Sequence, residues 1–278
     1  MNPIPEHLLN QVVQGDCLEV MQELPENCID LVLCDLPYGS TQNPWDSLID
    51  FGLLWHQYER IVKPDGTIAL TAHGLFTAKL ILSKPDWFRF KIVWIKSKAP
   101  NFLQANRQPL KKHEDICIFC RGQPAYYPQM MAGKPYNRGK RKNSATGCYG
   151  TYRPNDGVNP GNRYPYDVIF YEEDLPDWIY YKTAETEGKT FHPSQKPVDL
   201  GRYLIRTFSD PGAIVLDNAS GSGSFLVAAV LEDRHFIGIE KNVGAFSLKT
   251  QTADFIAVSR QRINEAIKQF QINKEKNQ

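Results

Sequence analysis

One tetrapeptide combines a carboxylate, a proline and an aromatic ring directly after an apolar run. Asp35-Leu36-Pro37-Tyr38 follows the buried-strand candidate Ile29–Cys34. Asp35 and the carbonyl group near Pro37 could accept hydrogen bonds, and Tyr38 offers a flat face for a planar group. Open α/β sheets place their sites at the carboxyl ends of strands, which favours a functional site here. Taken alone, the segment could equally be an ordinary turn, because Asp and Pro favour turns.

A glycine-containing loop between a predicted strand and a predicted helix is the second candidate site. In the segment that starts at Asp217, Gly221 and Gly223 allow a tight turn and the close approach of a ligand. Glu240 ends the next predicted strand at roughly the 20-residue spacing expected of a carboxylate that binds ribose hydroxyls. Leu226 occupies the third glycine position of the dinucleotide fingerprint, which counts against a nicotinamide dehydrogenase.

Both candidate sites lie where strand-like and helix-like patterns alternate along the chain. This rhythm predicts an α/β, Rossmann-like fold, with a mostly parallel sheet and helices on both faces. The predicted elements are a helix at 48–62, a turn at 63–66, a strand at 67–71, a helix at 197–208, a strand at 213–217, a helix at 225–232, a strand at 235–240 and a final helix ending near 270.

The middle of the chain interrupts this rhythm and carries most of the positive charge. Residues 89–153 contain fourteen Lys or Arg and two acids, whereas the remainder has 18 basic and 29 acidic residues. A polyanion such as nucleic acid is therefore expected at the middle, although a solvated basic loop is the alternative. The interleaved tyrosines favour nucleic acid, because bases stack on aromatic rings. They are Tyr126, Tyr127, Tyr136, Tyr149 and Tyr152.

Composition and cysteine usage exclude several other classes of protein. The first twenty residues lack a secretory signal, and no apolar stretch is long enough to span a bilayer, so we expect a cytoplasmic protein without membrane contact. Cys117 and Cys120 form a CxxC within an alternating, strand-like segment, and no second pair with metal spacing occurs. We therefore predict reduced thiols and no metal site.

Taken together, these segments resemble the amino-methylating DNA methyltransferases, in the branch whose catalytic motif precedes the cofactor motif. The tetrapeptide at Asp35 is similar to the family's (D/N/S)-P-P-Y signature, with Leu36 in place of the first proline. The segment 192–197, His-Pro-Ser-Gln-Lys-Pro, is similar to the family's HPxQKP block and is followed by a helix and the glycine loop. In that loop, residues 218–220 depart from the family's common sequence.

The resemblance implies a catalytic half at 1–98, an inserted target-recognition region at 99–190 and a cofactor-binding half at 191–278. It also implies S-adenosylmethionine as cofactor. Asp16 and Cys17 would contact its adenine, Glu240 its ribose, and the loop containing Asp217, Ser220, Gly221 and Gly223 its methionine part, with Ser194 and Lys196 near the carboxylate. For segment 192–197, a simple helix-entry turn before Pro197 is the alternative.

The resemblance assigns Asp35, Pro37 and Tyr38 to catalysis. An exocyclic amino nitrogen is a poor nucleophile because its lone pair is delocalised into the ring. Acceptors at Asp35 and near Pro37 would favour a localised lone pair, and Tyr38 would stack on a base extruded from the duplex. C5 methylation of cytosine is disfavoured, because the Pro-Cys pair of the C5 enzymes is missing.

Aspartate rather than serine at position 35 favours N6 of adenine as the target. The alternatives are methylation of N4 of cytosine, methylation of RNA, or an inactive DNA-binding relative. Double-stranded DNA is the expected partner, in a bacterium or a phage-infected cell. A homodimer and a cognate restriction enzyme are further expectations.

Overall fold

An eight-stranded sheet forms the centre of the protein in the computed structural model. The model describes residues 3–41, 43, 46–99, 101–139, 144–146, 150–152, 157–169, 195–242 and 254–276. The strands are β1 (Gln11–Gln14), β2 (Ile29–Cys34), β3 (Val62–Ala72), β4 (Phe88–Ile95), β5 (His113–Phe119), β6 (Met131–Ala132), β7 (Tyr136–Asn137), β8 (Ser144–Thr146), β9 (Gly150–Tyr152), β10 (Val158–Asn159), β11 (Asn162–Arg163), β12 (Val168–Ile169), β13 (Ile214–Asp217) and β14 (His235–Glu240). Strands β6 to β11 form three separate two-stranded pairs outside the main sheet.

Helices cover the sheet. They are α1 (Cys17–Val20), α2 (Phe51–Ile61), α3 (Leu75–Ser83), α4 (Val198–Phe208), α5 (Ser224–Leu231) and α6 (Phe255–Lys276), together with 3₁₀ turns at Met21–Glu23 and Phe102–Gln104. Within the described part of the chain, none of the helices combines the length and apolar character needed to cross a membrane.

The strand order of the main sheet is β1-β14-β13-β2-β3-β5-β4-β12. Neighbouring strands are parallel except at β5, which runs antiparallel to both β3 and β4. The Rossmann-like expectation is thus confirmed. From β2 the chain continues to one side of the sheet and from β13 to the other, so a topological switch point lies between these two neighbours. Ligands of open α/β sheets bind in the crevice at such a point.

The core lies on both faces of the sheet. On one face, Leu31 and Leu33 of β2 pack in a cluster with Leu204 of α4 and Phe225 of α5. On the other face, Val32 and Cys34 belong to a second cluster that includes Leu54 of α2 and Leu80 of α3. Alternate residues of a strand point to opposite faces, so β2 is apolar at every position except Asp30 because both of its faces are buried.

Most predicted elements are present, with shifted ends. Helix α2 begins at Phe51 rather than at residue 48, because the Asp50 carboxylate accepts the Leu53 N–H at 2.9 Å and caps the helix. The turn predicted at 63–66 is an irregular part of β3, where the pairing with β2 jumps from Ile29–Val62 to Leu31–Thr67. The final helix continues to Lys276, beyond its predicted end.

Parts of the predicted recognition region belong to the main sheet. Strands β5 and β12 both fall within 99–190, and β5 pairs with β3 and β4 near the middle of the sheet. Residues 170–194, which include His192 and Ser194, lie outside the described residues. The division into three segments stays a prediction.

Candidate active site

The two candidate sites line one cavity of about 620 Å³ at the carboxyl edge of the sheet. Asp35 follows β2, Asp217 ends β13, and the two strands are hydrogen-bonded neighbours. Of the residues predicted from the sequence, the cavity is lined by Asp16, Cys17, Asp35, Pro37, Tyr38, Lys196, Asp217, Ser220, Gly221 and Glu240. The switch point between β2 and β13 therefore brings the catalytic and cofactor segments together.

The Asp35 carboxylate is held by three donors. Its Oδ1 accepts hydrogen bonds from the Tyr38 hydroxyl at 2.9 Å and from the Thr71 hydroxyl of β3. Its Oδ2 lies 2.7 Å from Nζ of Lys196. A carboxylate offers about four lone-pair positions, so these contacts leave about one of them for a further donor. The contacts fix the orientation of the group and leave an acceptor on Oδ2.

Lys196 also contacts a second carboxylate, that of Glu114, and Lys196 and Glu114 are both buried. Its Nζ lies 3.4 Å from Oε2 of Glu114, whose Oε1 accepts a hydrogen bond from Lys96. Burial opposes the charged form of Lys196, but Asp35 and Glu114 outweigh it and raise the pKa of the ammonium group. Burial likewise opposes ionisation of Glu114, but Lys196 and Lys96 bring the pKa of that carboxyl below its usual value. The site therefore holds alternating charges of both signs.

The ring of Tyr38 is supported from one side. It stacks on Phe76 of α3 with ring centroids 4.8 Å apart and an angle of 30° between the planes. Burial, and then the nearby carboxylates of Asp35 and Glu114, raise the pKa of its hydroxyl well above the usual value. Tyr38 therefore stays protonated and donates to Asp35, which fixes the ring as part of the cavity wall.

Glu240 holds the glycine loop. Its Oε2 accepts the Gly221 N–H at 2.7 Å, and its Oε1 accepts the Asn242 N–H at 2.8 Å. Gly221 has a φ of 50°, and a Cβ there would meet no atom within 4 Å, so its surroundings are open. Gly223 differs, because at its φ of 77° a Cβ would lie 2.7 Å from Cβ of Ser259. Gly223 is not among the residues that line the cavity. A glycine is required at this position because the loop packs closely against α6.

Two buried polar atoms of this loop lack a hydrogen-bond partner among the described residues. They are Oγ of Ser220 and Nδ2 of Asn218, and both residues line the cavity. The other end of the Asn218 amide is fixed, since its Oδ1 accepts the Tyr58 hydroxyl at 2.7 Å. Buried polar groups are rarely left unpaired, so these atoms fit a polar ligand in the cavity.

Asp16 stands at the start of α1. Its Oδ1 caps the helix by accepting the Leu18 N–H at 2.9 Å, and its Oδ2 lies 3.0 Å from Nζ of Lys241. The hydrogen bond from Lys241 keeps the pKa of Asp16 below its usual value. Gly15 places this segment against β14, because its N–H donates to the carbonyl of Glu240 at 3.1 Å. The predicted contacts for adenine and ribose are thus adjacent in space.

Asp217 is buried at the end of β13 and does not behave as an ordinary carboxylate. Burial raises its pKa to about 8. Its Oδ1 lies 3.4 Å from the N–H of Ala219, so the side chain supports the first turn of the loop. Cys34, the last residue of β2, lies close enough to affect this pKa, and burial raises the pKa of its own thiol well above the usual value. Cys34 is therefore a core thiol.

A buried carboxylate that the sequence analysis missed shapes the mouth of the cavity. Asp46 accepts the backbone N–H groups of Gly39 at 2.8 Å, Ser40 at 2.9 Å and Thr41 at 2.7 Å. It thereby fixes the segment after Tyr38, and residues 46–50 themselves line the cavity. An aspartate a few residues after a proline-containing turn gives no distinct signal in one sequence.

Thr71 and Glu114 were also missed as site residues. Thr71 lies near the carboxyl end of β3, next to β2, whereas Glu114 lies near the start of β5. Because β5 is antiparallel to its neighbours, its start reaches the same edge of the sheet. An acid at the beginning of a strand-like apolar segment was a usable signal for Glu114. Its contact with Lys196 depended on the orientation of β5.

The predicted CxxC segment lies at the end of β5, with Cys117 in the strand and Cys120 directly after it. Cys117 and Cys120 are both buried, and burial raises the pKa of the Cys117 thiol to about 12. The strand predicted around Cys117 is confirmed. Among the residues that the structure describes, no group of three His, Cys, Asp or Glu side chains has the arrangement of a metal site.

Comparison with known proteins relates the chain to DNA methyltransferases. A family model described as DNA methylase, which covers N6 and N4 enzymes, matches residues 29–251. The type II methyltransferase M.BglII of Bacillus subtilis is 26% identical over 263 residues, which cover 85% of this chain and 66% of that protein. The type II methyltransferase M2.MboI of Moraxella bovis is 27% identical over 280 residues, which cover 91% of this chain and 87% of the relative.

The fold is also that of a solved methyltransferase. The crystal structure of an M1.HpyAVI–S-adenosylmethionine complex superposes with a TM-score of 0.55 and 21% sequence identity. The match covers 91% of this chain and 98% of the other. At this identity the likeness concerns the fold.

Proposed function

The chain belongs to the N6/N4 DNA methylase family, and from this premise we propose that it methylates N6 of adenine in double-stranded DNA. The observation that carries the proposal is the shared cavity. Asp35 and Tyr38 of the catalytic segment and Gly221 and Glu240 of the cofactor segment line the same space. A methyl donor and an extruded base could therefore meet there.

S-adenosylmethionine is the cofactor of this family. When bound, it supplies a methyl group carried on a positively charged sulfur. The residues present fit it, because Ser220 and Asn218 offer buried polar atoms without a partner among the described residues. We assign Asp16 to the adenine amino group and Glu240 to the ribose hydroxyls, since both residues line the cavity and the backbone of Gly15, next to Asp16, is hydrogen-bonded to Glu240.

In this proposal, Asp35 accepts a hydrogen bond from the target amino group. Oδ1 is already used by Tyr38 and Thr71, so the free lone pair of Oδ2 is the acceptor. Hydrogen bonding to Asp35 and to the carbonyl near Pro37 favours a pyramidal nitrogen with a localised lone pair. The nitrogen would then bond to the methyl carbon while the bond from that carbon to sulfur breaks, leaving its electron pair on a neutral thioether, and the nitrogen would release one proton.

Lys196 sets the chemical character of Asp35. Its ammonium group lies 2.7 Å from Oδ2 of Asp35 and donates to it, which orients the carboxylate as a hydrogen-bond acceptor for the target amino group. We therefore assign Lys196 to the catalytic carboxylate, whereas the sequence had suggested the carboxylate of the methyl donor. The proton released by the nitrogen passes to solvent.

Aspartate at position 35 favours adenine as the target base. The base must leave the helical stack to reach the cavity, and Tyr38 offers a wall fixed by Phe76 against which it can lie. Methylation of N4 of cytosine is the competing reaction within the same family.

Nucleoside analysis tests the proposal. The protein is incubated with S-adenosylmethionine carrying a labelled methyl group and with unmethylated plasmid DNA, which is then digested to nucleosides. Label in N6-methyldeoxyadenosine supports the proposal, label in N4-methyldeoxycytidine shows that cytosine is the target instead, and no label with retained DNA binding contradicts catalysis. RNA incubated in parallel tests whether the protein methylates RNA, which is the other substrate considered from the sequence. A homodimer, a cognate restriction enzyme and a cytoplasmic location remain predictions.

A further inference from the structure

The loop between β4 and β5 carries three exposed large apolar side chains that the proposed chemistry does not use, namely Phe102, Leu103 and the less exposed Leu110. We name residues 96–99 and 101–112 the β4–β5 loop. Phe102 is 69% exposed and its neighbour Leu103 is 86% exposed. Scattered apolar residues on a surface are ordinary, but an adjacent, highly exposed pair on one 3₁₀ turn suggests a contact with a partner.

The loop projects from the edge of the sheet that holds the cavity. Strand β4 ends there at Ile95, and β5 starts there at His113, which is paired with Ile95. The next pair is Trp94 with Glu114, and Glu114 lines the cavity. Lys96, at the root of the loop, bonds to the same Glu114. A substrate that covers the mouth of the cavity therefore comes within reach of the loop.

Hydrogen bonds give the loop a defined shape. Its base is closed by the Lys96 N–H donating to the carbonyl of Lys112 at 2.7 Å. The side chain of Asn101 accepts the Lys111 N–H at 2.7 Å, directly before the 3₁₀ turn Phe102–Gln104. Presenting Phe102 and Leu103 on a structured turn lowers the entropy lost when they are buried against a partner.

The charge of the loop identifies the chemistry of that partner. Between residues 96 and 112 there are five basic side chains and no acidic one. Arg107, Lys111 and Lys112 are exposed. Basic side chains around a small apolar tip are complementary to DNA, whose phosphates lie outside its stacked bases.

We propose that the β4–β5 loop is a wedge that inserts Phe102 and Leu103 into the stack of the duplex when the target base leaves it. This inference rests on the proposed function. Extrusion of a base costs a few kcal/mol of stacking and pairing, and apolar side chains that enter the gap offset part of that cost. Arg107, Lys111 and Lys112 contact the flanking phosphates.

The test compares a paired target with one that is already unpaired. The modified sequence is first located by mapping methylated bases in DNA from cells that express the protein. Two synthetic duplexes of that sequence are then used, one fully paired and one with the target base opposite an abasic site. For Phe102→Ala/Leu103→Ala we expect at least a ~10-fold loss of turnover on the paired duplex and a loss within ~3-fold on the abasic one, because unpairing is least costly there.

Leu82→Ala is the matched control. Leu82 is 75% exposed and lies near the end of α3, which begins after β3 and runs back towards the opposite edge of the sheet. It should leave both rates unchanged. Equal losses on the two duplexes, or none, in Phe102→Ala/Leu103→Ala would overturn the wedge alone. Transfer by the wild type to neither duplex would contradict the proposed function as well.

Two further measurements test whether DNA, rather than a second copy of the protein, is the partner of the β4–β5 loop. Lys111→Ala/Lys112→Ala should reduce the salt dependence of duplex binding by ~1–2 units of slope, and an unchanged slope would count against phosphate contacts. Sedimentation compares the oligomeric state of the wild type and Phe102→Ala/Leu103→Ala. If the substitutions convert a dimer into a monomer while the ratio of the two rates stays the same, the loop is a contact between protein copies and the wedge is wrong.

Discussion

Nζ of Lys196 lies 2.7 Å from Oδ2 of Asp35, although 161 positions separate the two residues in the chain. The contact connects the segment before α4 with the end of β2. In the proposed reaction it orients the Asp35 carboxylate as the acceptor of a hydrogen bond from the target amino group. The same ammonium group reaches Glu114, so three side chains from distant segments form one network.

Replacing Glu114 by glutamine should alter the pH dependence of methylation. Lys196 would keep only Asp35 as a close anion, so its raised pKa would fall, and it would lose its proton at a lower pH. The activity of Glu114→Gln should therefore decline on the alkaline side about one pH unit below that of the wild type. The measurement is kcat as a function of pH.

Asp115→Asn is the matched control for Glu114→Gln. Asp115 is the next residue of β5, is also buried, and contacts Lys91 and Thr77, each at 2.8 Å, rather than Lys196. Each variant should lose stability, because each breaks a polar contact of a buried residue. The two variants are compared by the alkaline side of their kcat–pH curves. If both variants shift it equally, or if neither does, Glu114 does not act on catalysis through Lys196.

Asp35→Asn should abolish most of the catalytic activity without affecting the cofactor. The amide would keep one acceptor oxygen but lose the negative charge, and Lys196 would compete with the target amino group for that oxygen, so the hydrogen bond to the target would be weaker. We expect kcat to fall by ~10²–10³-fold, as when a single oriented group is removed from other active sites. S-adenosylmethionine affinity, measured by calorimetry, should stay within about twofold. Wild-type turnover in this variant would refute the acceptor role.

Glu240→Ala should weaken cofactor binding more than Glu240→Gln does. The carboxylate accepts the N–H groups of Gly221 and Asn242, and we assign its remaining lone pairs to ribose hydroxyls. Hydrogen bonds to a charged group contribute about 1.5–3 kcal/mol, so Kd should rise by ~10-fold or more in the alanine variant. Calorimetric titration with S-adenosylmethionine measures the change. Unaltered affinity in Glu240→Ala would exclude the ribose contact.

Asp217 should make the stability of the protein depend on pH. Its pKa is about 8 in the folded chain against 3.8 for an ordinary aspartate, so at neutral pH the folded chain holds a proton that the unfolded chain has released. Stability from this group is complete below pH 3.8 and is lost as the pH rises to about 8. Relative to the wild type, Asp217→Asn should therefore be more stable at pH 8 than at pH 5. Urea unfolding at both values checks this, and a difference that does not change with pH would contradict it.

Gly223→Ala should destabilise the protein more than Gly212→Ala. Both glycines have a φ of 77°, but a Cβ at position 212 meets no atom within 4 Å, whereas one at 223 lies 2.7 Å from Cβ of Ser259. Backbone strain alone should cost about 1–2 kcal/mol in Gly212→Ala. The added overlap in Gly223→Ala should bring the total to ~2–4 kcal/mol. Equal changes in the free energy of unfolding would mean that α6 adjusts to the methyl group.

The sequence by itself determined the fold class and the family, and ten of the site residues selected from it line the cavity. Alternation of apolar strands with helices requires a parallel sheet, and the carboxyl ends of such strands place the segments after β2, β13 and β14 at one edge. Asp35, Asp217 and Glu240 could be selected for that reason. Their chemistry follows from residue type and position in the chain, which one sequence contains.

Only the tertiary structure decided which of these residues touch each other. The antiparallel direction of β5 brings Glu114 to the site, and an apolar strand can be buried in either direction. The partner of Lys196 and the packing of Gly223 against Ser259 depend on distances of a few ångströms between distant segments. Such distances are set by the packing of the whole core, and no local pattern encodes them.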